Sequence, residues 1–221
     1  MAPLIIIAVA SDAGDLDAVA ELLFALPDEY GAAIVVVQHF DAGRARALAA
    51  TIARQSSVAV TPAHDGAEPE RNHVYLLPGN ATLAVPSGRI CVTTKSSPVD
   101  YPGDTLFTSL AQIRGACSVG VVLSGRGADG ARGVRAIKDI GGVTFAEHPG
   151  SARFPSMPIS AIETGCVDFV LRPYEIAREL ARLGGLSGAS ARSAPCVTGI
   201  DDPLSSPMAG VAATGSEHRT S

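Results

Sequence analysis

Residues 4–37 read LIIIAVASDAGDLDAVAELLFALPDEYGAAIVVV, in which two apolar runs flank an amphipathic segment. The runs Leu4–Ala10 and Ala32–Val37 show no polar alternation, which is typical of strands buried on both faces. Between them, apolar residues recur at helical spacing over Asp15–Leu26, and Pro27 ends that pattern. A strand, a helix and a strand in this order predict a parallel sheet with a crossover helix.

The remaining chain extends this pattern. Short β-rich segments at His73–Leu77, Ala81–Val85 and Arg89–Val92 are separated by turn residues, which predicts an antiparallel excursion at the sheet edge. The other predicted strands are 118–123, 142–146 and 167–171, and the other predicted helices are 43–54, 104–114 (with Asp104 as a candidate cap), 131–140, 158–164 and 173–183. We therefore predict a three-layer α/β domain with a mostly parallel, doubly wound sheet, helices on both faces and an antiparallel edge hairpin.

This domain is expected to span residues 1–184. Residues 185–221 are rich in Gly, Ser, Ala and Pro without apolar periodicity, which predicts a disordered tail.

Composition excludes several classes of function. The 221 residues carry a net charge of −5 and no basic run, which argues against a nucleic-acid partner. No apolar stretch approaches the roughly 18 residues of a membrane helix, and the N-terminus lacks the basic start of a signal peptide. We expect a cytoplasmic protein without membrane insertion. Its four scattered cysteines have no paired spacing, which argues against a metal site.

Polar residues follow three of the predicted strands. Ser11 and Asp12 end the first, His39 ends the second, and a loop containing Asp129 ends a later one. Because ligands of parallel sheets bind at the carboxyl ends of strands, these side chains are candidates for a nucleophile, base and orienting acid. The structural alternatives stay open, since His39 could be an ordinary strand-end residue and Asp129 could cap the following helix.

A second motif in that loop points to a different function. Gly125, Gly127 and Gly130 form a G-x-G-x-x-G pattern between a strand and a helix, and Glu147 follows the next strand. In dinucleotide-binding domains such glycines cradle a pyrophosphate and an acidic residue binds the ribose. That motif normally opens a long doubly wound unit, whereas little ordered chain remains after Gly130, which disfavours this alternative.

Several longer segments resemble the CheB family of chemoreceptor methylesterases, most closely the form fused to a receptor methyltransferase. The segments are VVVQH (35–39), NHVYLLP (72–78), NATL (80–83), GVVLSG (120–125) with DG (129–130), and FPSMP (154–158) with SAI (160–162). The resemblance implies a Ser-His-Asp hydrolase of glutamate methyl esters on the cytoplasmic helices of chemoreceptors, with no metal or other cofactor. Some members of the family also deamidate glutamine. It implies His39 as the base, Asp129 as the acid, and Ala13, Arg126 and Gly127 as part of the loops around the oxyanion.

The nucleophile turn departs from that family. A gapless alignment places the family serine on Asp12, with Ser11 on the preceding alanine and Asp15 on a glycine. A carboxylate has no proton to pass to a base, and we expect Asp12 to form an ion pair with His39. Ser11 remains a candidate nucleophile after a one-residue shift, although such a shift turns a strand side chain to the opposite face.

Two functions follow from the resemblance. The first is a methylesterase or glutamine deamidase with weakened chemistry, and the second is a catalytically inactive binding module. Both imply a chemoreceptor partner, and the fused form adds a receptor methyltransferase as a second candidate partner. The relatives carry basic residues just before the helix at Asp104, whereas this chain reads SPVDYP (97–102) there. Substrate recognition is therefore expected to differ.

Overall fold

The computed structural model describes residues 4–12, 16–38, 42–77, 81–84, 89–94, 101–114 and 117–186. The strands are β1 (Ile6–Ser11), β2 (Ala33–Gln38), β3 (Ala59–Pro62), β4 (His73–Leu77), β5 (Ala81–Ala84), β6 (Cys91–Thr94), β7 (Ser118–Val122), β8 (Val143–Glu147) and β9 (Phe169–Leu171). The helices are α1 (Leu16–Phe24), α2 (Ala42–Gln55), α3 (Pro102–Arg114), α4 (Ala131–Asp139), α5 (Ser156–Glu163) and α6 (Pro173–Leu186).

Seven strands form one parallel sheet in the order β3-β4-β2-β1-β7-β8-β9. Strands β2, β4 and β3 lie on one side of β1, and β7, β8 and β9 lie on the other, which confirms the predicted doubly wound α/β class. The direction of winding reverses between β1 and β7. In this class of fold, ligands bind where the winding reverses, beyond the carboxyl ends of the strands.

The central strand is buried on both faces, as its unbroken apolar run predicts. Ile7 and Val9 of β1 belong to a core that contains residues of α1, α2 and α6. Ile6 and Ala8 point the other way, into a core that contains residues of α3, α4 and α5. Because side chains alternate along a strand, one continuous apolar segment supplies both cores of the three-layer domain.

The middle of the chain differs from the expected antiparallel excursion. His73–Leu77 is β4, which pairs in parallel with β2 on one side and with β3 on the other. Among the described strands, β5 and β6 alone pair antiparallel, and they form a separate two-stranded sheet rather than an edge of the main one. The grouping of His73–Leu77 with the hairpin is therefore wrong, and β3 was missed.

The C-terminal boundary also shifts slightly. Helix α6 continues to Leu186, so residues 185 and 186 are helical rather than part of a tail. The rest of the predicted tail, 187–221, lies outside the described residues. Within the described part of the chain, none of the helices is both long and apolar enough to cross a membrane.

Candidate functional site

Two of the predicted strand-end residues, Ser11 and Asp12, lie where β1, β2 and β7 run side by side. Ser11 is the last residue of β1 and aligns with Gln38, the last residue of β2. Asp12 follows directly, and its backbone N–H donates to the Ser124 carbonyl oxygen beyond β7 at 3.2 Å. The predicted residues Ala13 and His39 lie outside the described residues, so their positions are not part of this geometry.

Ser11 is buried inside this junction. Its side chain is 3% exposed, and its hydroxyl donates to the Ser124 carbonyl oxygen at 3.1 Å. On the other side, the Gln38 Nε2 approaches the Ser11 hydroxyl at 3.4 Å and donates to the Asp12 carbonyl oxygen at 2.6 Å. An ester substrate could reach this hydroxyl only after the strand ends had moved apart.

Asp12 instead lies beside Arg126. Both the backbone N–H and the Nη1 of Arg126 are 3.4 Å from the Asp12 Oδ2. The guanidinium of Arg126 also lies 4.0 Å from the centre of the Phe154 ring, a cation–π distance. The side chain of Asp12 is 18% exposed and that of Arg126 is 63% exposed. The pair therefore forms a partly exposed rim of the site, and the Phe154 ring packs against the guanidinium of Arg126.

The loop after β7 approaches β1 because Gly125 has no side chain. A Cβ at Gly125 would lie 2.1 Å from the Met157 Sδ and 3.0 Å from the Asp12 Cβ. Hydrogen bonds fix this approach, since the Gly125 N–H donates to the Phe154 carbonyl and the Met157 N–H donates to the Gly125 carbonyl. Replacing Gly125 would therefore separate Asp12 from the loop that carries Arg126.

The other two glycines of the loop have conformational roles. Gly127 has φ +82°, and Gly130, just before α4, has φ +89°. Both angles lie in the left-handed region that favours glycine. Close packing at Gly125 and these two backbone angles account for the whole G-x-G-x-x-G pattern without a bound dinucleotide.

Glu147 fixes the loop after β7 through buried hydrogen bonds. Its side chain is 1% exposed; Oε2 accepts from the Ser124 backbone N–H at 2.8 Å, and Oε1 accepts from the Ser151 hydroxyl at 3.1 Å. The Ser124 hydroxyl in turn accepts from the Phe154 N–H at 3.0 Å. A ribose hydroxyl has no access to this carboxylate, so its geometry does not support the ribose-binding role. The sequence signal for this residue was its position at the end of a predicted strand, which indicated a site but not this positioning function.

Two carboxylates cap each other's helices across the site. Asp129 is 6% exposed, and its two oxygens accept from the N–H groups of Gly103 and Asp104, each at 2.9 Å, at the start of α3. The Asp104 Oδ1 accepts from the Gly133 N–H at the start of α4, at 2.8 Å. The expected assignments are therefore exchanged: Asp129 caps α3 rather than α4, and Asp104 caps α4 rather than its own helix.

This exchange brings two acidic groups close together. Burial, and secondarily the neighbouring Asp129, raise the pKa of Asp104 above its ordinary value, although the Gly133 N–H acts in the opposite direction. Asp129 keeps additional lone pairs on both oxygens, so it could still accept a hydrogen bond from an imidazole. In the described part of the chain, no group of three or more His, Cys, Asp and Glu residues is arranged to hold a metal ion.

Comparisons with known proteins agree on one family. The family model "CheB methylesterase" matches residues 7–180. The chain is 36% identical over 187 residues to a protein-glutamate methylesterase/protein-glutamine glutaminase of Myxococcus xanthus, covering 82% of this chain and 54% of that protein. A protein of the same name from Pyrococcus horikoshii is 32% identical, with 83% and 53% covered. The chain thus spans about half the length of these relatives.

A solved structure matches the fold over the same region. The crystal structure of the Thermotoga maritima CheB methylesterase catalytic domain superposes with a TM-score of 0.74 at 30% sequence identity. The match covers 82% of this chain and 99% of that domain. The similarity therefore extends over a whole catalytic domain.

Proposed function

This chain belongs to the CheB methylesterase family, and from that premise we propose that it binds the glutamyl side chains of a methyl-accepting chemoreceptor while its serine hydrolysis is weakened or absent. The observation that carries the proposal is the Asp12–Arg126 pair at the end of β1. In this proposal Asp12 occupies the position of the family's nucleophilic serine, and the gapless alignment of the first turn supports that assignment. His39 and Asp129 remain the proposed base and acid.

The chemistry of Asp12 opposes a serine mechanism. A serine hydroxyl loses its proton to histidine and attacks the ester carbonyl, whereas an ionised carboxylate has no proton to give. The Asp12 Oδ2 also faces the backbone N–H of Arg126, which is a proposed hydrogen-bond donor to the oxyanion. The negative charge of Asp12 therefore opposes the negative charge that develops on the oxyanion during hydrolysis. Loss of a triad nucleophile typically costs on the order of a million-fold in rate.

Ser11 offers no ready replacement. Its hydroxyl is buried and hydrogen-bonded to the backbone, and it precedes the residue that faces Arg126. This observation favours a receptor-binding role over slow hydrolysis by a shifted nucleophile. A receptor methyltransferase is a second proposed partner, on the basis of the resemblance to fused proteins alone.

Methanol release from a methylated chemoreceptor fragment tests this proposal. We expect the native protein to release none, and Asp12→Ser to gain release that disappears in the double variant Asp12→Ser/His39→Ala. Ser11→Ala in the Asp12→Ser background is the matched control, and it should retain activity. Methanol release by the native protein that Ser11→Ala abolishes would overturn the assignment of Asp12. If Asp12→Ser released no methanol, the proposed ester chemistry of the site would be overturned.

A further inference from the structure

The Asp12–Arg126 pair presents two different hydrogen-bonding characters side by side. A carboxylate only accepts hydrogen bonds, and a guanidinium only donates them. Their separation of 3.4 Å is longer than the usual 2.7–2.9 Å of a charge-assisted hydrogen bond. Among the described residues, the Asp12 Oδ1 accepts no hydrogen bond. Hydrogen-bonding capacity therefore remains on both members of the pair.

A primary carboxamide matches this arrangement. Its carbonyl oxygen accepts and its NH₂ group donates, so it can bind Arg126 and Asp12 together. A methyl ester has no donor for Asp12, and a carboxylate would place a second negative charge beside it. Resting on the receptor-binding function proposed above, we infer that the Asp12–Arg126 pair selects receptor glutamine side chains over methylated and free glutamate.

Both members of the pair are held in place before any ligand arrives. The backbone of Asp12 is anchored through its N–H to Ser124 and through its carbonyl to Gln38. The guanidinium of Arg126 lies against the ring of Phe154. A site fixed in this way loses little conformational entropy on binding, which favours discrimination between side chains of nearly equal size.

The expected preference is modest because the rim is partly open. One net hydrogen bond contributes about 0.5–1.5 kcal/mol, and tenfold in affinity corresponds to about 1.4 kcal/mol. We therefore expect the glutamine form to bind roughly two- to tenfold more tightly than the methyl ester form. The free glutamate form should bind most weakly.

The experiment uses one labelled chemoreceptor fragment in three forms, with glutamine, glutamate or methylated glutamate at the same positions, and measures binding by fluorescence anisotropy. Native protein should prefer the glutamine form. Asp12→Ala, which removes the carboxylate without supplying a nucleophilic hydroxyl, should lose the preference over the methyl ester and gain affinity for the glutamate form, because the repelling carboxylate is gone. Arg153→Gln is the control, since Arg153 also lies near Phe154, at 5.4 Å from the ring centre, but has no hydrogen bond to Asp12.

The outcomes separate this inference from the proposed function. Equal binding of the three forms by native protein, or an unchanged preference in a folded Asp12→Ala variant, overturns the amide selection and leaves the receptor partner in place. Failure of native protein to bind any form overturns the receptor partner as well. Loss of the preference in Arg153→Gln would assign the selection to the general positive charge of the rim and overturn the role of the pair.

Discussion

The crossed caps of Asp129 and Asp104 predict opposite responses to the same chemical change. In Asp129→Asn, one of two accepting oxygens becomes an NH₂ group that faces a backbone N–H at the start of α3. A buried N–H without an acceptor costs about 1–3 kcal/mol, and loss of negative charge at a helix N-terminus adds about 0.3–1 kcal/mol. We therefore expect Asp129→Asn to lower the free energy of unfolding by about 2–3 kcal/mol.

In Asp104→Asn, by contrast, the amide oxygen can still accept from the Gly133 N–H. The raised pKa of Asp104 means that the folded protein binds this proton more tightly than the unfolded chain does. The stabilising contribution of Asp104 is thus complete below its ordinary pKa of 3.8 and declines as pH rises through the folded-state value. Asp104→Asn should therefore match or exceed native stability at pH 7, and its advantage should shrink as pH falls toward 4.

Thermal unfolding measures both variants directly. For a domain of this size, 1 kcal/mol shifts Tm by roughly 2–4 °C, so Asp129→Asn should lower Tm by roughly 5–10 °C. Asp104→Asn should leave Tm within about 2 °C of native or raise it. Equal destabilisation by the two substitutions would show that the direction of capping inferred from the hydrogen bonds is wrong.

Three further predictions concern the neighbouring packing. Gly125→Ala should destabilise the protein in chemical denaturation, and adding Met157→Ala should recover part of the loss by vacating the space that the new Cβ needs; no recovery would contradict this contact. Glu147→Ala should cost about 1–3 kcal/mol by leaving the buried Ser124 N–H without its acceptor, and an unchanged denaturation midpoint would count against it. Burial lowers the pKa of His73, and the nearby Glu70 opposes this effect, so an NMR titration should give His73 a pKa below 6.5. The stability that neutral His73 contributes should be complete above pH 6.5 and should fall as the pH drops through the lowered pKa of the folded state. A measured pKa above 6.5 would refute this prediction.

The sequence was sufficient to predict the centre of the fold. Long apolar runs such as Leu4–Ala10 identify strands buried on both faces without any knowledge of their neighbours. Polar residues directly after such runs then lie at one edge of a parallel sheet, which is how Asp12 and the loop after β7 could be expected to meet. This part of the prediction depends only on local pattern and a general property of parallel sheets.

Features that depend on distant partners could not be predicted in this way. His73–Leu77 is short and flanked by turn residues, like a hairpin strand, but its partner Ala33 lies 40 positions earlier in the chain. Strand β3 has only four residues and ends at Pro62, so its sequence is too short to show a recognisable strand pattern. The exchanged caps were missed because an aspartate near a helix start indicates capping without indicating which helix receives it.

The crossed caps also restrict how this domain can be recombined with its relatives. A chimaera that takes α3 and its preceding loop from one protein and the loop before α4 from another would inherit carboxylates without their matching backbone amides. Residues 101–114 and 124–139 should therefore be exchanged together, although residues 115–123 separate them in the chain. Shuffling experiments that exchange both segments together should yield folded hybrids far more often than those that separate them.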